Sequence, residues 1–345
     1  MGRDRMTGFE KTMIGWMGAS AAALVFFAAG HPNDGATRSP NAVLVQDSEM
    51  ATAAGGRMVM APEITINPTV EKATFTVKTL SKTFTSLGYD IEMVRSGSRH
   101  VPHYFADELP VDMPHIQAPA RRKVIFFKTV LPLVLRVNAE ISVDRKRLTR
   151  LEGLRREDQK LAAEDRLWLA ALAERYNVDR DDFEEFLKRV DIVPASLALA
   201  QAAAESGWGT SRFVREGNAL FGQWTFTKVG SLLPGAREKG KTHRVKSFSA
   251  LIDGVRAYVN NLNTHRAYRA FRTERRNARR SGAPLDGHDL ARALTSYSER
   301  GKDYVRDIQT IINVNRLRQL DKARLGEKAE IQTKSLTNSL AKPVI

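Results

Sequence analysis

Uncharged residues run without a break from Met13 to Gly30 (MIGWMGASAAALVFFAAG), with Arg3, Arg5 and Lys11 ahead of them. Apolar length behind a basic start predicts a secretory signal or a signal anchor, and a helix of this run would span roughly 27 Å. From His31 to about Pro119 no helical period is sustained, and this stretch holds eight of the chain's 13 prolines. It reads as a largely disordered, extended linker, with one short strand at residues 74–80 (TFTVKTL), where apolar and polar positions alternate. Helical spacing begins near Arg121, where Ile125, Phe126, Val130, Leu133, Val134 and Val137 share a face, and Pro132 is expected to kink that helix. Further helices are predicted at about 157–176, 181–190, 195–206, 251–263, 266–280, 289–297 and 303–320. The fourth helix of the set, SLALAQAAAES, is apolar until Glu205 and should be central and buried, with Gly207 and Gly209 ending it. Between Thr225 and Phe248 the pattern loosens into short alternating runs, most simply a small hairpin. The fold class is therefore mainly α with a small β-hairpin insertion.

Composition narrows the chemistry. Cysteine is absent from the 345 residues, which excludes disulfide scaffolds, thiolate metal sites and a cysteine nucleophile. Lys and Arg number 54 against 39 Asp and Glu, a formal charge of +15 that favours anionic partners. The seven histidines show no HExxH or similar clustering, so no metal and no cofactor is expected.

Residues 200–211, AQAAAESGWGTS, place Glu205 at the C-terminal end of an apolar helix. Burial and the negative helix end both disfavour its ionised form, the condition for an acid that protonates a leaving glycosidic oxygen. A buried structural glutamate is the alternative from this stretch alone. Downstream, GNALFGQWTF (217–226) sets Asn218 and Gln223 beside Phe221 and Trp224, polar groups and flat faces suited to sugar rings, although Phe221 also suits a core position. Gln201, Ser206 and Gly222 complete the candidate substrate-binding set, Gly222 by letting a ligand approach the backbone. His243 in KTHRVKSF is read either as a cleft hydrogen bonder or as a residue pinning the hairpin.

AQAAAESGWGTS followed by GNALFGQW resembles the signature of the bacterial glucosaminidase domain, glycoside hydrolase family 73, and the similarity continues through KTHRVKSF, VNNLNTHRAYRAFR and YSERGKDYV. The resemblance implies a lysozyme-like α fold acting on peptidoglycan, with Glu205 as general acid and Tyr297 lining the cleft and assisting. It also puts a second acid some thirty residues on, where Glu238 lies between Arg237 and Lys239; Tyr304 is read as a packing residue of the last helix. Ala219 departs from the asparagine common in the family. The implied division is 1–30 signal peptide or anchor, 31–119 linker, 120–190 helical N-terminal part of the catalytic unit, 191–320 glucosaminidase domain and 321–345 polar tail.

The expected activity is hydrolysis of the β-1,4 bond after N-acetylglucosamine in exported or membrane-tethered form, in the periplasm or cell envelope. A lytic transglycosylase of similar fold and a non-catalytic wall-binding protein are the competing readings. Seven arginines crowd residues 266–280, and Arg266, Arg269, Arg272, Arg276 and Arg279 share a helical face. They form either a solvated surface or a stripe that attaches to anionic lipid or wall polymer; no module for nucleic acid is present.

Overall fold

A computed structural model describes residues 75–233 and 244–327. The segment 13–30, most of the expected linker, Glu238, His243 and the tail beyond 327 lie outside the described residues. Among the described residues no helix is long and apolar enough to cross a membrane.

The first described stretch corrects the linker and strand readings for residues 75–119. Val77–Ser86 is a helix (α1), and Ile91–Arg95 a second (α2). Alternation over TFTVKTL ends too early to see that Val77, Leu80 and Phe84, three and four residues apart, are all buried. Thr76 and Thr79 cap α1 reciprocally, and Asp90 accepts the amides of Glu92 and Met93 to start α2. Leu109 and Met113 are buried as well, so this part of the chain belongs to the folded body.

Pro119–Arg156 (α3) is one helix of 38 residues with Pro119 in its first turn, and it runs on through Pro132. Ala163–Tyr176 (α4) starts later than the pattern implies and ends at Asn177 in the left-handed conformation; Phe183–Arg189 (α5) is capped by Asp182. Ala195–Ser206 (α6) is the central helix, buried from Ala195 to Ala203 and packed against α3. Arg212–Gly217 (α7) leads into a three-stranded antiparallel sheet of Trp224–Thr225 (β1), Ser231–Leu232 (β2) and Arg244–Lys246 (β3), with β3 in the middle. The expected hairpin thus has one more strand. Leu251–Thr264 (α8) and Arg269–Arg280 (α9) follow, then short Gly287–Leu290 (α10) and Lys302–Val314 (α11). Two helical predictions break up here: 289–297 gives way to α10 and a 3-10 turn at Ala291–Ala293, and 303–320 divides at Arg316, whose φ of 50° ends the regular helix before the 3-10 turn Leu317–Lys322. The whole is mainly α with a small sheet, consistent with a lysozyme-like α domain.

The start of α6 is capped from far away. Asp321 accepts the Ser196 amide and hydroxyl, each at 2.7 Å, and the Gly287 amide at 3.1 Å. Burial pushes its carboxyl up to about 6, although these bonds favour the charged form. A Cβ on Gly287 would collide with the Ser196 hydroxyl and come within 2.7 Å of the Leu197 amide, so glycine sets the distance between α10 and α6. Gly287→Ala is expected to cost about 1–3 kcal/mol, measured by urea unfolding, because neither contact is a flexible chain end.

The arginine stripe is divided: of its five members Arg272 is buried and Arg276 half-buried, while Arg266, Arg269 and Arg279 are exposed. Arg272 and Arg275 are buried; Arg272 donates to the carbonyls of Leu262 and His265, and Arg275 to those of Lys188, Asp191 and Ile192. Arg279 holds the buried Asp191 carboxylate through two bonds, at 2.9 and 3.1 Å. These side chains close the C-terminal ends of α5 and α8, which leaves fewer charges to face an anionic surface than the helical wheel implies.

Candidate active site

The sequence ESGWGTS builds a tight exit from α6. Gly207, Trp208 and Gly209 all have positive φ, at 60°, 59° and 80°. For Trp208 this is a rare backbone conformation, and the structure holds it by packing. The indole meets Phe126 and Phe127 edge-on, with ring centres 6.1 and 5.5 Å away, and the Lys123 ammonium lies 4.9 Å from its centre. A Cβ at Gly209 would come within 2.7 Å of Leu109 and 3.3 Å of Met113 and Phe126, the first two contributed by the stretch read as linker, so glycine admits these side chains to the turn. Ser206 is fully buried, donates to the Ala202 carbonyl and accepts the Gly209 amide. Its place is in this turn and not against a substrate, contrary to the expectation from sequence.

Glu205 projects half-buried from the last turn of α6. Tyr304 of α11 donates its hydroxyl hydrogen to Glu205 Oε1 at 3.0 Å. The Tyr304 hydroxyl in turn accepts from Gln201 Nε2 at 2.8 Å, and Gln201 Oε1 accepts from the Tyr258 hydroxyl at 2.6 Å. Four side chains from three helices thus form one directed chain, Tyr258 to Gln201 to Tyr304 to Glu205. Gln201 and Glu205 are four residues apart on α6, which places them on the same face. Burial dominates the Glu205 carboxyl and raises it from the ordinary value to about 7; the Tyr304 hydrogen bond and the Arg300 charge act the other way without cancelling it.

Tyrosines pack around this carboxyl. Tyr297 stacks on Tyr304 with ring centres 5.3 Å apart and planes 11° apart, and Tyr268 lies against Tyr297 at 5.7 Å. Burial raises the Tyr258, Tyr297 and Tyr304 hydroxyls, with the Glu205 charge acting in the same direction, so these groups stay protonated donors. The roles expected of the two motif tyrosines are therefore rearranged: Tyr304 touches Glu205, while Tyr297 braces Tyr304. The YxxxxxxY spacing in residues 297–304 was the available signal, but seven residues also suit simple packing along a helix.

The other candidates divide. Gln201 is fully buried with both amide atoms engaged inside the protein, which makes it a positioning residue and corrects its reading as a substrate contact. Phe221 is buried and stacks face to face on Tyr258 at 3.8 Å, so it takes the core reading. Asn218, at φ 52°, donates from its side chain to the carbonyls of Phe248 and Ser249 and ties α7 to the strand β3 exit. Gly222, at φ 58°, has open space where a side chain would be. Gln223 and Trp224 are half-buried at the start of the sheet, and the Gln223 Oε1 is a buried acceptor without a protein hydrogen bond. Among the described residues, one trio with ligand atoms close together exists, Asp286, His288 and Asp289, but Asp286 already caps α10 and pairs with Arg318.

Comparison with known proteins bears on the same region. Residues 180–317 match the family model described as Glucosaminidase, mannosyl-glycoprotein endo-beta-N-acetylglucosaminidase. Protein bax of Escherichia coli (strain K12) is 34% identical over 189 residues, covering 53% of this chain and 66% of that protein. The match thus spans just under two thirds of the relative's length. No solved structure matches the chain at a significant level. The matched segment contains α6 with Glu205, the sheet, α8 with Tyr258 and α11 with Tyr304, and over it the chain is similar to the glucosaminidase domain.

Proposed function

We propose that the protein is a peptidoglycan hydrolase that cleaves the β-1,4 bond after N-acetylglucosamine, with Glu205 as the general acid. The observation that carries this reading is a carboxyl raised to about 7 at the end of a central apolar helix, with a single tyrosine hydroxyl on one of its oxygens. Such an acid still holds its proton near neutrality and gives it to the glycosidic oxygen as the bond to the anomeric carbon breaks. The carboxylate that remains keeps the Tyr304 hydrogen bond, which strengthens as negative charge develops. Gln201 and Tyr258 fix the direction of that hydrogen bond. The unpartnered Gln223 Oε1 suits the N–H of a substrate acetamido group, and Trp224 offers an adjacent ring face. Glu238 remains the candidate for the second acid and His243 a candidate substrate contact. The basic start and apolar run at 13–30 support export to the cell envelope. Mass spectrometry of digested muropeptides tests the reading: reducing N-acetylglucosamine ends are expected, whereas 1,6-anhydromuramic ends or undigested glycan overturn it.

The acid must be protonated to work, so turnover is expected to hold below about pH 7 and fall tenfold per unit above it. Tyr304→Phe removes a hydrogen bond that favours the ionised form. The alkaline limb should then move to higher pH while the plateau rate drops about tenfold, corresponding to roughly 1.4 kcal/mol. A pH–rate profile of the two proteins checks both signs, and a purely structural role for Tyr304 would leave the limb in place.

A further inference from the structure

Outside the family match, α2 and the loop after it face the 3-10 turn Leu317–Lys322 and the residues after it across a cavity of about 470 Å³. Arg95, Arg99, His100, Arg318, Lys322 and Arg324 line it, and no acidic residue does. Two of these charges are answered elsewhere: Arg95 pairs with Glu92, and Arg318 with Asp286. Among the described residues no carboxylate lies within ion-pair distance of Arg99, Lys322 or Arg324. All three are exposed to solvent, and Arg99 donates one nitrogen to the Gly88 carbonyl, which holds its guanidinium at the loop. The Arg95 side chain, which also lines the cavity, is about nine-tenths buried, and its Nε has no hydrogen-bond partner.

The two walls are brought together by backbone pairing. The Val101 amide donates to the Arg324 carbonyl at 2.8 Å, Val101 bridges Leu325, and Arg95 donates to the Asn315 carbonyl at 2.9 Å. Cations gathered by tertiary structure, without counter-charges, raise one another's electrostatic energy unless an anion joins them. A carboxylate would answer only one of the three free charges. A phosphoryl group offers up to two charges and three oxygens, and guanidinium forks match its geometry.

We propose that this cavity is a binding site for a doubly charged phosphoryl group, of a soluble phosphate ester or of a phosphomonoester lipid headgroup. The site is separate from Glu205: none of its lining residues belongs to the Tyr258–Gln201–Tyr304–Glu205 chain. Its purpose in a wall-associated protein would be to hold the domain where phosphorylated envelope components are exposed.

The test uses the whole protein, inorganic pyrophosphate in a calorimeter, and flotation with phosphatidylcholine vesicles with and without phosphatidic acid. The parent should bind pyrophosphate or the phosphatidic acid vesicles, and the combined Arg99→Ala, Lys322→Ala and Arg324→Ala variant should bind at least tenfold more weakly. Binding of pyrophosphate shows that a soluble phosphoryl group suffices without a membrane; binding of vesicles alone identifies the headgroup. A control removing equal charge from α3 and α4, Arg155→Ala, Arg156→Ala and Arg166→Ala, should bind as the parent does. Equal loss in the control, no loss in the cavity variant, or a parent that binds neither probe overturns the proposal. If the triple variant loses its melting transition, Arg99→Gln alone is expected to weaken binding with an unchanged transition, and unaltered binding by it counts against the site.

Discussion

Glu205→Gln is expected to lower the wall-degrading rate by about 10²- to 10⁴-fold, the usual contribution of a positioned general acid, without loss of fold. Glutamine keeps the shape and still accepts the Tyr304 hydroxyl through its carbonyl oxygen, but has no proton of the right acidity to give. Stability should move the other way. Folding raises the Glu205 carboxyl from the ordinary carboxylate value to about 7, so the folded protein holds a proton that the unfolded chain releases between those two values. The parent therefore loses stability as the pH rises through that interval and regains none above it, a loss the glutamine variant escapes. Near pH 8 the variant should melt at or above the parent temperature while its zymogram is blank. A variant within tenfold of parental turnover would remove Glu205 from the chemistry.

Asp191→Ala is expected to cost about 3–5 kcal/mol, which for a domain of this size corresponds to a melting temperature lower by about 10 °C. Asp191 is buried between α5 and α6 and meets Arg279 at 2.9 Å, Arg145 at 3.5 Å and Arg275 at 3.9 Å. Burial alone would raise its carboxyl, but the three guanidinium groups outweigh that and hold it below the usual carboxylate range. Without it, the fully buried Arg275 keeps its charge with only carbonyl partners. The pH dependence has the sign opposite to that of Glu205: the contribution of Asp191 is present above the ordinary carboxylate value and is lost as the pH falls through its lowered one. Thermal melts at pH 7 should separate parent and variant widely, and the gap should narrow as the solution is acidified. An unchanged melting temperature would mean that the arginines rearrange without it.

The candidate site was legible where one helix carries the information. AQAAAESG shows an apolar helix ending in a carboxylate and glycines, and each of those features stands in the structure. Gln201 shows the limit of that reading. On the helix it is simply a polar residue one turn before Glu205, and only the arrival of Tyr258 from α8 and Tyr304 from α11 reveals that both its amide atoms are used internally. The same applies to the arginines of α9. A helical wheel displays a cationic stripe, whereas the carbonyls that Arg272 and Arg275 satisfy come from residues 188–192 and 262–265.

Local pattern alone determined the mainly helical class, the position of α6 and its glycine exit, because a 3.6-residue period and the left-handed preference of glycine are properties of neighbouring residues. It also determined the absence of thiol chemistry and the excess of positive charge. Tertiary structure decided whether Phe221 is platform or core, which tyrosine reaches Glu205, and that residues 109–113 lie against the turn that follows Glu205. It also decided where Arg99, Lys322 and Arg324 meet. These outcomes depend on burial and on partners more than 20 residues away in sequence. Removal of water makes the Glu205 carboxyl a weaker acid than an exposed one, and the cations of the cavity share a site because another segment brings them together.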